Sequence, residues 1–344
     1  MTLSEVQEFI RQNRRKLIIG LFVLVLGSLV LGYIFRAVNP PVSEEDKIPS
    51  FSLSQEPGQI IGQIDFSQLS PPDFPDSVSI YQVENLEQVL SSTDAAGWAK
   101  NFGFGAQTGE VETPLGKIYV FAKKGEELTV TGNPRALHYT RESESGVGTI
   151  FNSSTAIQKA KEFLAARKLP DPSSFFPRVT YLSAIGERTA GSTEAEANFV
   201  EINFAWSVGG FELLGESSID TAIRLIFNKA GQAVYLSHQF LDYSFTAAQD
   251  IQILNFSQAT EALGSEAQVV LVRPIGEVEE WTLSESSTLS SFAPDSVRLV
   301  YVLQPEGGIL YPVYLFDGTG QTSGNEVQAS AYVLAVPNQY IREE

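Results

Sequence analysis

His138 and His238 are the only imidazoles in the chain, so a Ser-His-Asp nucleophilic apparatus would have to be built around one of them. His138 stands in Ala136-Leu137-His138-Tyr139 and His238 in Leu236-Ser237-His238-Gln239, strand-like contexts without a G-x-S-x-G elbow. Each reads as a half-exposed strand residue, because a general base also needs a positioned partner and none is identifiable. An H-E-x-x-H spacing is absent. Cysteine is absent too, which removes disulfides, thiolate metal sites, iron–sulfur clusters and cysteine nucleophiles together. No catalytic residue, metal ligand or cofactor site is expected, and the chain reads as non-enzymatic.

Carboxylates are abundant but poorly spaced for ligation. Glu44-Glu45-Asp46, Glu142 with Glu144, Glu194 with Glu196, and Glu277-Val278-Glu279-Glu280 do not follow the D-x-D-x-D-G loop and read as solvated turns. Two acids from distant positions can still meet in a cleft, as glycoside hydrolysis requires, and spacing alone does not exclude it. Gly103-Phe104-Gly105-Ala106-Gln107-Thr108-Gly109 lacks the lysine of a phosphate-binding loop and reads as a helix C-terminus and turn. Asn152-Ser153-Ser154 and Asn255-Phe256-Ser257 match a glycosylation triplet, yet both precede expected helices, where Asn and Ser are expected as caps, with Ser153 or Ser154 the expected cap of the helix from Thr155.

A formal charge of −18 with no Lys/Arg cluster beyond the N-terminal head argues against nucleic acid as a partner. Trp98, Trp206 and Trp281 suit core packing. The run Tyr311-Pro312-Val313-Tyr314 is the best candidate for an exposed aromatic edge, since proline is mostly confined to edge strands or strand ends. Tyr311, Pro312 and Tyr314 are therefore the candidate partner-binding residues.

The elements that would carry these residues begin with Leu17 to Phe35, LIIGLFVLVLGSLVLGYIF. At about 1.5 Å per residue it spans a hydrocarbon core of roughly 30 Å. Arg11, Arg14, Arg15 and Lys16 precede it, and the positive-inside rule puts the N-terminus in the cytoplasm. The expectation is a single-pass cell-membrane protein, N-in and C-out, with a basic head over 1–16, a transmembrane helix over 17–35 and extracytoplasmic domains beyond. A proline-rich stretch over 36–77 reads as a stalk, with a short strand around Gln59 to Phe66.

Three folded segments follow: a small α+β domain over 78–145, then two modules of one helix on an antiparallel sheet over 150–248 and 249–344. Helices are expected near Leu86 to Phe102, Thr155 to Lys168 and Ser257 to Leu263, with alternating strands between them. Val200 to Trp206 leading to Gly209-Gly210, and Val297 to Leu303 leading to Gly307-Gly308, are strand–turn–strand units that would fit a duplication. The expected fold class is α+β: an N-terminal transmembrane helix followed by tandem helix-on-sheet modules.

The N-terminal anchor, the helix at Thr155 to Lys168, the hairpins Phe199 to Gly215 and Ile219 to Phe240, and the stretch from Val300-Tyr301-Val302-Leu303 through Tyr311-Pro312-Val313-Tyr314 to Tyr332-Val333-Leu334-Ala335-Val336 form one pattern. It resembles the extracytoplasmic YycH/YycI-type regulators of Gram-positive bacteria and, more loosely, PepSY-type α+β modules, over the last 190 or so residues. The resemblance implies a non-enzymatic bacterial envelope protein whose partner is a sensor kinase. The function expected is a membrane-tethered binding or regulatory module that docks an exported or membrane protein. A structural cell-surface protein and an envelope hydrolase with dispersed carboxylates stand as alternatives, and the oligomeric state is not legible.

Overall fold

The structure is a computed structural model. It describes residues 47–342 apart from 52, 54–57, 87, 115, 133–134, 143–146, 173–174, 186–189, 216–220, 276–287, 305–307 and 323–324. Two compact units are present. In one, Ile48 forms a parallel bridge with Ile341 beside a 3-10 turn at Asn338–Tyr340. The other, Phe51–Pro337, holds all the named strands and the described α-helices.

That unit is mostly β, which corrects the expected α+β class. One all-antiparallel sheet runs, in spatial order, β3 (Gly109–Thr113), β4 (Gly116–Lys123), β5 (Glu126–Gly132), β6 (Arg135–Arg141), β12 (Ala233–Gln239), β11 (Ile223–Asn228), β9 (Phe199–Val208), β7 (Phe176–Ala184) and β8 (Ala190–Gly191). A second runs β14 (Gln268–Pro274), β17 (Asn325–Leu334), β16 (Ile309–Thr322), β15 (Thr288–Gln304). Along β15 lie two parallel partners, β1 (Gln59–Ile64) and β10 (Phe211–Leu214). The ribbon of β2 (Ser77–Asn85) and β13 (Tyr243–Gln252) joins at β16. Because β9 and β10 form a hairpin, the two sheets are continuous through them.

The strand pairing crosses the expected boundaries between the stretch 36–77 and the three folded segments. β6 pairs with β12, β10 with β15, and β2 with both β13 and β16, so no sheet belongs to one of the segments 78–145, 150–248 or 249–344. A chain that satisfies its ladders by such long-range pairing forms continuous sheets instead of a row of helix-on-sheet modules. The expected stalk is likewise drawn in: Ile60, Ile64, Phe66, Leu69 and Phe74 pack against buried residues of the second sheet.

Three α-helices occur among the described residues: α1 (Ser92–Asn101), α2 (Ser153–Ala166) and α3 (Phe256–Glu266). Ser91, Asn152 and Asn255 cap them, each side chain accepting from the N–H of the residue three positions on. Gly103, at φ +73, follows the end of α1, where a left-handed residue commonly terminates a helix. Ala95 and Ala99 of α1 and Ala156, Ala160 and Leu164 of α2 enter one core with Leu128, Leu137, Phe204 and Leu236. Ala259 and Leu263 of α3 enter a second with Phe292, Tyr314, Phe316 and Val333.

With 10, 14 and 11 residues, these helices would be about 15 to 21 Å long at 1.5 Å per residue, short of a hydrocarbon core. Among the described residues no helix is long and apolar enough to cross a membrane. The single-pass reading, and with it the membrane as partner and the N-in/C-out extracytoplasmic placement, is corrected on that finding. The segments 1–16 and 17–35 on which it rested lie outside the described residues.

Candidate functional site

The aromatic run expected at an exposed edge is interior. β16 is hydrogen-bonded on both sides, Pro312 standing opposite Tyr301 and Tyr314 between Leu299 and Val333. Tyr311 and Tyr314 are 1% and 0% exposed, and Pro312 is buried. Tyr314 packs on Phe74 and donates its hydroxyl to the carbonyl of Leu254, while Tyr311 lies 5.2 Å from Phe51 between ring centroids. These residues are core, and the partner-binding role expected of Tyr311, Pro312 and Tyr314 loses the exposure it required.

The histidines do not meet either. His138 is partly buried and His238 is 3% exposed, so the half-exposed reading fails for the second. His238 sits against Phe240, 4.4 Å between ring centroids, and its Nδ1 has no hydrogen-bond partner. Burial, with the Arg135 charge nearby, pushes its pKa down to about 4. Among the described residues no group of three or more His, Cys, Asp or Glu could hold a metal. Trp206 is buried in β9 and Trp98 packs on Phe240. Trp281 and the acidic run at 277–280 lie outside the described residues.

What the sheets do bring together is arginine and acid. In β9, Val200, Ile202 and Phe204 face the first core, and the alternation puts Glu201 and Asn203 on the opposite face. Arg178 of β7 and Arg224 of β11 stand on either side of Asn203 in register. Glu201 is fully buried. Arg224 donates to its Oε2 from Nε at 2.8 Å and Nη2 at 2.6 Å, and Asn203 donates to its Oε1 at 2.9 Å. Arg273 of β14 approaches Oε1 at 3.6 Å. Burial disfavours the Glu201 charge, but Arg273 and Arg224 more than offset it and hold the carboxyl below its ordinary range.

A second cluster adjoins the first. Glu212 of β10 meets Arg298 of β15 at 2.5 Å and Arg178 at 3.6 Å. Arg298 also donates to Asp317 of β16 at 2.8 Å, and Ser330 of β17 donates to the other Asp317 oxygen at 2.6 Å. Burial works against the Arg298 charge, yet Asp317 and Glu212 keep its guanidinium above the usual range. Arg178 is shifted the other way, by burial and then by the like charge of Arg298.

Arg178, Arg273 and Arg298 open on one cleft of about 480 Å³, a size ordinary for a ligand site. One sheet contributes Arg178, Thr180 and Asn203, and the other contributes Arg273, Arg298, Asp317 and Ser330. Val179, Leu271 and Ala329 supply apolar wall, and exposed Asp295 also lines the opening. No histidine lines it. The cleft can hold and orient a polar group through fixed guanidinium forks. Of the two acids that line it, Asp317 is engaged by Arg298 and Ser330 and Asp295 is exposed, and the low carboxyl of Glu201 beside Arg273 is the reverse of what a general acid needs.

The sequence reading missed this site. The available signal was isolated arginine in apolar strands, as in Ile223-Arg224-Leu225-Ile226 and Leu271-Val272-Arg273-Pro274. Arginine is almost never buried unless paired, so each such residue implies a buried acid on a neighbouring strand.

No protein-family model and no curated protein matches the chain. Among solved structures it is similar to an uncharacterized protein from Eubacterium rectale, at 8% identity and a TM-score of 0.46, over 85% of this chain and 92% of that one. It is also similar to the YpeB C-terminal domain of Bacillus megaterium, at 11% identity and a TM-score of 0.37, over 75% of this chain and 97% of that one. At such scores neither carries an argument about function.

Proposed function

We propose that the chain is a non-enzymatic binding protein of regulatory type that docks a protein partner at the arginine-lined cleft. The observation that carries this reading is the convergence of Arg178, Arg273 and Arg298, from three strands of two sheets, on one opening in a chain of net charge −18. Holding them costs desolvation of several ions. Recognition gives that cost a use, because guanidiniums already ordered by Glu201, Glu212 and Asp317 lose little further entropy on binding. The sequence resemblance to YycH/YycI-type regulators adds the partner class, a sensor kinase.

Asp295 and Asp317 line the same cleft, which is the observation that would favour a carboxylate hydrolase. Against it, Asp317 is engaged by Arg298 and Ser330. The test is hydrogen exchange on the full chain with and without a partner co-purified from its native source. Slowed exchange in β7 and β15 around Arg178 and Arg298 is expected. A partner that leaves those strands unprotected, or turnover of a glycoside or peptide substrate abolished by Asp317→Asn, overturns the reading.

A further inference from the structure

We propose that the corner where β4, β6 and helix α2 end and β5 begins is a second site, which binds the dianionic group of a phosphate monoester between Arg141 and Arg167. It stands on its own residues and does not rest on the docking reading of the cleft. Along the first sheet, β12 and β11 separate it from β9.

An arginine without an acid carries the inference. Lys123 closes β4, Glu126 opens β5, Arg141 closes β6 and Arg167 follows the last turn of α2. Glu126 meets Lys123 at 3.1 Å and accepts from the Tyr139 hydroxyl at 3.0 Å through Oε2, and it meets Arg141 at 3.2 Å through Oε1. Both oxygens of that carboxylate are thereby engaged. Among the described residues Arg167 has no acid partner: Nη1 donates to the Phe163 carbonyl at 3.4 Å, and the buried Nε has no hydrogen-bond partner. Holding the last carbonyls is the ordinary work of an arginine at a helix C-terminus, but here it uses one of about five N–H donors. Burial pulls the Arg167 pKa down, Tyr139 and Glu126 pull it up, and Arg141 adds to the fall, so the net direction is down, as for a cation short of counter-charge.

The cations are also ordered in advance. Arg167 lies 3.5 Å over the Phe163 ring and 5.4 Å from that of Phe102, while Lys123 lies 4.5 Å over Phe104 and donates to the Phe102 carbonyl at 3.3 Å. Flat stacking leaves the N–H edge of a guanidinium for a ligand, and Lys123 and Arg141 are 38% and 37% exposed. Charge then sets the ligand class. Lys123, Arg141 and Arg167 surround Glu126 with an excess of two positive charges, and Lys124 at the turn tip is matched by Glu142 beside Gly125. A carboxylate would leave part of that excess in place. A phosphate monoester carries close to two negative charges near neutral pH and offers three oxygens to guanidinium forks. A long polyanion such as nucleic acid is disfavoured by the net charge of −18.

The test is isothermal titration of the full chain, in low-salt buffer at mildly alkaline pH, with inorganic phosphate, acetate, glycerol phosphate and N-acetyl-phosphoserine amide. Phosphate should bind, with acetate at least about tenfold weaker. Arg167→Gln should weaken phosphate about tenfold. Because that variant also gives up the stack on Phe163, Arg141→Gln at a more exposed position is the second, with the same expected loss, and circular dichroism checks the fold of both. Asp295→Asn, which removes a negative charge at the cleft, should leave phosphate binding unchanged. Tighter binding of glycerol phosphate identifies a free small ester as the source and tighter binding of the phosphoserine compound a modified side chain, and either upholds the proposal. Absence of phosphate binding, equal binding of acetate, a folded Arg167→Gln or Arg141→Gln variant that matches the parent, or tightening by Asp295→Asn overturns it.

Discussion

Glu201 and His238 are both buried, and they settle the cost of burial in opposite ways. Glu201 keeps its charge because two arginines and Asn203 replace water around it. His238 has no such acceptor at Nδ1 and has Arg135 near it, so it stays neutral. Its folded pKa of about 4 lies below the ordinary 6.5. Between those values the unfolded chain binds a proton that the folded chain refuses, so stability rises with pH across this window and is lost as pH falls through it. A gap of that size amounts to about 3 kcal/mol by pH 4. His238→Phe should therefore flatten the dependence of urea midpoint on pH between about 6.5 and 4 while leaving neutral-pH stability equal or higher. A variant that keeps the parent's slope would show that other groups set it.

At the scale of elements, a bulge in β15, where Pro294 pairs with Gly318 and Ser296 with Asp317, sets Asp295 at the cleft and has a counterpart in β16. A Cβ on Gly318 would lie 2.2 Å from the Ala293 carbonyl oxygen and 2.6 Å from the Pro294 Cα, both backbone, so nothing can swing aside. Gly318→Ala is expected to cost about 3 kcal/mol by urea denaturation, the upper part of the overpacking range. Gly264, near the end of α3 with open space around it, is the control, and its change to Ala should stabilise by about 0.5–1 kcal/mol. Equal effects at the two sites would mean that the bulge is pliable. Such features mark the limit of what can be read from the chain. The hairpin β9–β10 announces itself through Gly209-Gly210, both at positive φ, and the helices through Asn152 and Asn255, because these signals act over a few residues. The bulge and the cleft depend on strands some 25 to 150 residues apart, whose register is set by side-chain packing and leaves no local spacing to read. The polar side of Val200-Glu201-Ile202-Asn203 also looks like a solvated face until a second sheet covers it.

For the Phe51–Pro337 unit as a whole, the consequence is cooperativity. A chain of separate modules would let 150–248 fold alone. In the structure that segment gives β12 to β6, β10 to β15 and β13 to β2, and the first core joins its Leu225 and Leu236 to Leu128, Leu137, Tyr301 and Leu310 from either side. Excised, it would expose three sheet edges and part of its apolar interior, and would lose Arg273 from Glu201 and Arg298 from Glu212. The fragment 150–248 is expected to lack near-ultraviolet circular dichroism and a cooperative urea transition. In the full chain, the near- and far-ultraviolet transitions should coincide. Separate transitions in the full chain, or a cooperatively folding fragment, would restore the modular picture. They would also break the physical link between fold and site, because the cleft exists only where strands of both sheets are present together.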